Sequence, residues 1–250
     1  MPEELDVSIR KWQQTDSATL ERFYDLIQET PLLHPEKLGP YEPFEYDFED
    51  MTAESLARMV IEERGILTQR NRFPEQGIYY RNISGAKKPN VFGHSMEKVE
   101  EGSGEARTFI DYAFELFKLF EPVYGRVCCM EDYRTKNLVQ GAAAENAVGN
   151  DLRKHLPGIY WVNFFGPRYV DFFGEDRLLT APAHESRWLG EAGILLLVSE
   201  SPFDYDDPEV KATEQAVVER LGPEAFFFKS DPEDKEYRAP DLSDLPQFAP

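Results

Sequence analysis

Residues 158 to 174, GIYWVNFFGPRYVDFFG, restrict the fold of this chain more than any other stretch. The part before the Gly-Pro break is apolar on both faces, as a central strand buried on both sides would be. Pro167 suits the first turn of a helix and Gly174 suits its end, so a short helix over PRYVDFFG is expected next. The segment carries no obvious catalytic group. Its aromatic side chains therefore either build the core or form a binding surface. Burial is the default for Tyr160, Trp161, Phe164, Phe165 and Phe172, because each removes a large apolar area from water.

The flanking sequence predicts α+β architecture. DSATLERFYDLIQET (16–30) has Asp16 as an N-cap, with Leu20, Phe23, Tyr24 and Ile27 at helical spacing. Four prolines in 31–50 forbid a long regular element there. Thr52 or Asp50 can cap the next helix, whose apolar face holds Leu56, Met59 and Val60. GIYYRNIS (77–84) and KPNVFGHSME (88–97) read as strands. EARTFIDYAFELFKLFEP (105–122) is the strongest helix, with one stripe of Ala106, Phe109, Ile110, Ala113, Phe114, Phe117 and Phe120. VYGRVCCMEDY (123–133) reads as a returning strand. After the central segment, 176–185 reads as a strand, GILLLVSES (193–201) as a buried strand, 207–222 as a helix and EAFFFKS (224–230) as a last strand. The expectation is an antiparallel sheet covered by helices, in two topologically similar β-β-α-β halves at 77–133 and 176–230. Both lie in one α+β domain over 1–230. The remainder, 231–250, is an acidic, Pro-rich tail, extended and draped on the body by Leu242, Leu245 or Phe248.

The net charge of −20 argues against nucleic acid, which needs a basic stripe, and against an anionic membrane surface. The nearest basic groupings are Arg153-Lys154-His155 and Lys87-Lys88. A basic protein partner is favoured instead, because complementary fields speed encounter; simple solubility is the plain alternative. No apolar run approaches the roughly 20 residues that span a bilayer. The N-terminus lacks a signal pattern, and the adjacent Cys128 and Cys129 would point to opposite faces of a strand. A reducing cytoplasm is the expected compartment.

Motifs for chemistry are lacking. There is no GxSxG elbow, GxxxxGK[ST] or GxGxxG, and EGSGEA sets acids around its glycines, which would repel a phosphate. His34, His94, His155 and His184 form no HxH or HxxxH pair, so no metal site is expected. Asp204, Asp206 and Asp207 read as an acidic helix start rather than a calcium loop. No cofactor and no catalytic residue are expected, and the chain reads as a non-enzyme.

One stretch of the sequence resembles a known family. LPGIYWVNFFGPRYVDFFGEDRLLTAPA is similar to a motif of the immunity protein 52 family, found in bacterial polymorphic toxin systems. The shared features are Leu156-Pro157-Gly158, Tyr160-Trp161, Asn163, the Phe165-Gly166-Pro167 break, Tyr169-Val170 and Gly174. GILLLVSESPFDYDDPE resembles that family's next strand and turn, so the likeness covers about residues 150 to 230. It implies a cytoplasmic α+β protein that binds and blocks a cognate toxin, with no catalytic residues to transfer.

An inhibitor needs aromatic anchors on a complementary surface. Two stretches could supply the surface: the acidic tail at 231–250, whose plain alternative is a solubilising extension, and YEPFEYDFED, where Tyr41, Phe44, Tyr46 and Phe48 interleave with Glu42, Glu45, Asp47, Glu49 and Asp50. Those acids would complement a basic toxin. The plain alternative is a loop whose aromatics pin it to the core while its acids face water. Two other functions stay open: a phage-defence or regulatory protein-binding module, and an enzyme with a site of scattered acids and histidines.

Overall fold

The computed structural model describes residues 3–84, 88–141, 144–243 and 245. The chain divides after Gly125. One compact unit is Met1–Gly125, which also takes in Ser243–Pro250, and the other is Arg126–Leu242. Both are α+β, with antiparallel strands and helices packed on them.

In chain order the first unit contains β1 (Glu3–Lys11), α1 (Ser17–Gln28), β2 (Lys37–Gly39), β3 (Tyr46–Asp47), α2 (Ala53–Glu62), β4 (Gly65–Gln69), β5 (Gln76–Arg81), β6 (Asn90–Val99) and α3 (Gly104–Phe120). Its strands pair in the order β1-β6-β5-β4-β2-β3, all antiparallel. The caps follow the sequence. The Asp16 carboxylate accepts from the Thr19 N–H at the start of α1. Thr52 and Ser55 close a capping box on α2. α3 packs on β1 and β6, and α2 packs on β4 and α1. The buried face of α3 is rotated from the expected stripe. Tyr112 and Leu116 are fully inside, while Ile110 and Phe114 are half-buried. Phe23, Tyr80, Phe92 and Phe120 meet from four elements, with ring centroids 5.3 to 5.7 Å apart. Edge-on and tilted contacts of that kind add to simple burial.

β7 (Tyr124–Cys129) carries the chain from one unit into the other. The second unit contains α4 (Met130–Asn137), β8 (Leu138–Gln140), β9 (Glu145–Ala147), β10 (Val162–Phe165), α5 (Pro167–Phe173), α6 (Glu175–Leu179), β11 (Glu185–Trp188), β12 (Ile194–Leu197) and α7 (Pro208–Leu221). β12 lies between β11 and β10, and β8 pairs with β9, all antiparallel.

Four expected strands need correction. The strand over 123–133 ends at Cys129, because Glu131 and Asp132 in the next turn favour a helix start and α4 begins at Met130. Over 158–165 only Val162–Phe165 is strand. Gly158 turns at φ 137°, and the Asn163 amide takes the Tyr160 backbone groups that a ladder would use. Over 176–185, Glu175 and Asp176 open α6. Pro182 has no N–H to give a ladder, so strand structure begins only at Glu185. Over 224–230 the chain makes a 3₁₀ turn after Pro223. Its sheet-like contact is a parallel bridge from Phe226 to Leu156, and the Phe226 ring stacks on Phe173 at 6.0 Å. The β-β-α-β order therefore holds over 77–133 and fails over 176–230.

The tail begins as a knot rather than a loose end. Asp231 accepts from the Phe228 N–H, Tyr237 Oη and Lys235 Nζ at 2.7 to 2.9 Å. Leu242 and Leu245 are buried, and Phe248 lies outside the described residues.

Candidate protein-docking surface

The segment from Pro31 to Met51 is poor in backbone pairing, and side chains make up the deficit. Arg70, buried on leaving β4, donates from Nη1 to the carbonyls of His34 (3.0 Å) and Pro31 (3.3 Å), and from Nη2 to Phe73 O (3.3 Å). Gln76 Nε2 donates to Leu32 O at 2.8 Å. Gln76 is itself held by His94, whose Nε2 lies 2.9 Å from Gln76 Oε1 and whose Nδ1 lies 3.2 Å from Tyr112 Oη. Burial pushes the His94 pKa down to about 3, so the ring is neutral. One ring nitrogen then donates to Gln76 while the other accepts from Tyr112.

On this footing β2 and β3 form a short hairpin, with Leu38 opposite Tyr46 and Lys37 opposite Asp47. β3 is the last strand in the pairing order. Phe48 anchors the hairpin. It is buried, with its ring 5.5 Å from Tyr24 and 5.7 Å from His34. The other aromatics do not follow it inward. Phe44 is half-buried, Tyr46 is 43% exposed and Tyr41 is 61% exposed. Glu42, Glu45, Asp47, Glu49 and Asp50 all face water. Lys37 pairs with Asp47 at 2.6 Å. Among the described residues, Glu42, Glu45, Glu49 and Asp50 have no ion-pair partner. The nine residues singled out in the sequence thus lie on one hairpin and the 3₁₀ turn after it, with its aromatic anchor inside and its acids outside.

The aromatic motif lies elsewhere and is core. Tyr160, Trp161, Asn163, Phe165 and Tyr169 are buried. Asn163 accepts from the Tyr160 N–H at 3.2 Å and donates to its carbonyl at 2.8 Å. Trp161 Nε1 donates to Ser199 O and Tyr169 Oη to Leu152 O, at 3.0 and 3.1 Å. Gly166 and Pro167 open α5, and Gly174 closes it at φ 88°.

Sequence reasoning missed a charged cluster in the second unit. Lys136 Nζ donates to Asp132 Oδ2 at 2.9 Å, to Ile159 O at 2.7 Å and to Glu214 Oε1 at 2.7 Å. Burial raises the pKa values of both carboxyls, Glu214 to about 7, against the pull of Lys136. The i,i+4 spacing of Asp132 and Lys136 was the local signal; Glu214, far along the chain, gave none. The cluster borders a cleft of about 300 Å³ walled by Ile159, Val218 and Phe227. All three ammonium protons of Lys136 are committed, which is the chemistry of a strut joining α4, α7 and the 157–159 turn rather than of a free base. His94 and His155 are buried and His184 is exposed. Among the described residues no group of three His, Cys, Asp or Glu side chains could hold a metal ion, and no helix is long and apolar enough to cross a membrane.

The fold is of a class already seen in a bacterial secretion-system protein. No protein-family profile matches this chain and no curated protein is significantly similar. Among solved structures, the Pseudomonas aeruginosa T6SS protein PA0821 has a similar fold, with a TM-score of 0.55 at 11% identity, covering 98% of this chain and 81% of that one.

Proposed function

We propose that this chain is an immunity-type protein that binds a cognate basic toxin and occludes it, without performing a reaction of its own. The observation that carries the reading is the exposed hairpin at 41–50, where Tyr41 and Tyr46 stand in water among five acids, of which only Asp47 has an ion-pair partner among the described residues. Exposed aromatic rings cost solvation and are enriched where partners bind. Unpaired acids supply the field that steers a cationic partner. The fold shared with a T6SS protein supports the same reading; the motif likeness of residues 150–230 to the immunity protein 52 family points the same way, while no family profile matches the chain.

The test is co-expression with the product of the adjacent gene, in a host which that product kills. The wild-type chain should rescue growth. A variant with Glu42, Glu45, Asp47, Glu49 and Asp50 all converted to amides should not. Failure of the wild type to protect overturns the immunity reading, and protection by the five-fold variant overturns the docking edge.

A further inference from the structure

Beside the hairpin the structure opens a second feature. A cleft of about 230 Å³ lies between the β2–β3 region and α2. Its apolar lining is Pro40, Tyr46, Met51 and Met59, and its polar rim is Ser55, Arg58, Glu62 and Glu63. It is smaller than the roughly 300–1,000 Å³ of small-molecule sites, a size that suits one inserted side chain. Thioethers are adaptable walls for such an insertion.

The rim runs against ordinary helix electrostatics. The carbonyl end of a helix carries partial negative charge and favours cations. α2 ends in Glu62 and the cap Glu63, with no basic residue in its last turn. Neither acid has an ion-pair partner among the described residues. Arg58, also on the rim, is paired with Glu54 at 2.6 Å. Arg64 follows the cap but does not line the cleft and makes no ion pair among the described residues. Two acids at the negative end of a helix, over an apolar slot whose lining cation Arg58 is already engaged by Glu54, form an arrangement with an uncompensated negative charge. Local rules are broken in this way at functional sites.

We propose that this cleft receives a long-stemmed cationic side chain, arginine or lysine, from the protein partner. Its methylenes lie along Met51, Met59 and Tyr46, and its charge meets Glu62, Glu63 and the end of α2. The inference rests on the docking role assigned to the hairpin and names what that partner inserts.

The test uses the full chain with ¹³C-methyl methionine and a blocked arginine-leucine-arginine tripeptide, beside its citrulline analogue of the same shape without charge. The Met51 and Met59 methyl signals should shift saturably with the arginine peptide and about ten-fold more weakly with the citrulline peptide. Glu62→Gln with Glu63→Gln should reduce the arginine response to the citrulline level. Because it removes like charge from a helix end, the same variant should raise Tm, a combination that a merely structural pair of acids would not give. Absence of a saturable shift, or an equal response to both peptides, overturns the proposal. Growth rescue by the five-amide hairpin variant reads the wider edge separately, so failure of the cleft is told apart from failure of the docking role on which it rests.

Discussion

His94 shows how one neutral ring can hold a surface loop from within the core. It fixes Gln76, and Gln76 donates to Leu32 O, at the start of the Pro-broken segment that leads to the hairpin. His94→Leu leaves the Tyr112 hydroxyl and the Gln76 carbonyl oxygen buried without their ring partner. The expected cost is about 3 kcal/mol, from two groups at about 1–3 kcal/mol each, read from urea unfolding at pH 7. The pH dependence has a definite sign. The unfolded imidazole takes a proton near 6.5, and the folded one resists until about 3. The wild type therefore loses stability from this group as pH falls below 6.5, and the variant does not. The gap between them should shrink by about 2 kcal/mol between pH 7 and pH 5, at about 1.4 kcal/mol per pH unit. A gap that stays constant would mean that the folded ring takes up its proton over the same pH range as the unfolded one.

At the scale of elements, the hairpin depends on Arg70 as much as on its own strands. β2 has three residues and β3 two, too few to hold a register alone. The guanidinium gathers three carbonyls of the approach to β2 and of the turn after β4. Arg70→Met should cost about 2–4 kcal/mol, since buried acceptors lose charged donors. It should also speed hydrogen exchange at the Phe48 N–H, which donates to Glu36 O at 3.1 Å. Unchanged exchange there would show that Phe48 packing alone orders the turn. Helices of this kind were legible because their signals are local: Asp16, Thr52, Pro167 and Pro208 start them, and Gly174 and Gly222 stop them. Strands were less so, because their partners are remote. β1 shows Leu5, Val7 and Ile9 in alternation, yet its mate β6 lies about eighty residues on, and the acidic N-terminus gave no strand reading. The FFF run at 226–228 has strand propensity, but Phe226 is used as a plug against Phe173. The acidic aromatic hairpin could be read as composition. The cleft beside it could not, because Met51, Met59 and Tyr46 come from separate elements.

At the scale of the whole molecule, charge decides kinetics more than fold. A surplus of twenty acids weakens any compact state by self-repulsion, and salt relieves part of it. The buried aromatic clusters of each unit are unaffected by ionic strength, so added salt should raise Tm while it slows association with a cationic partner. The two trends have opposite consequences and can be measured on one sample. Between about 0.02 and 0.3 M salt, the association rate should fall by roughly ten-fold or more, as for steered complexes. The dissociation rate should change little, because in the proposed complex short-range contacts such as Tyr41, Tyr46 and the cleft against α2 would set it rather than the long-range field. The five-amide hairpin variant should associate more slowly at low salt and show a shallower salt dependence. An association rate that ignores salt in the wild type would mean that the docking face is not this hairpin, and that its acids serve solubility alone.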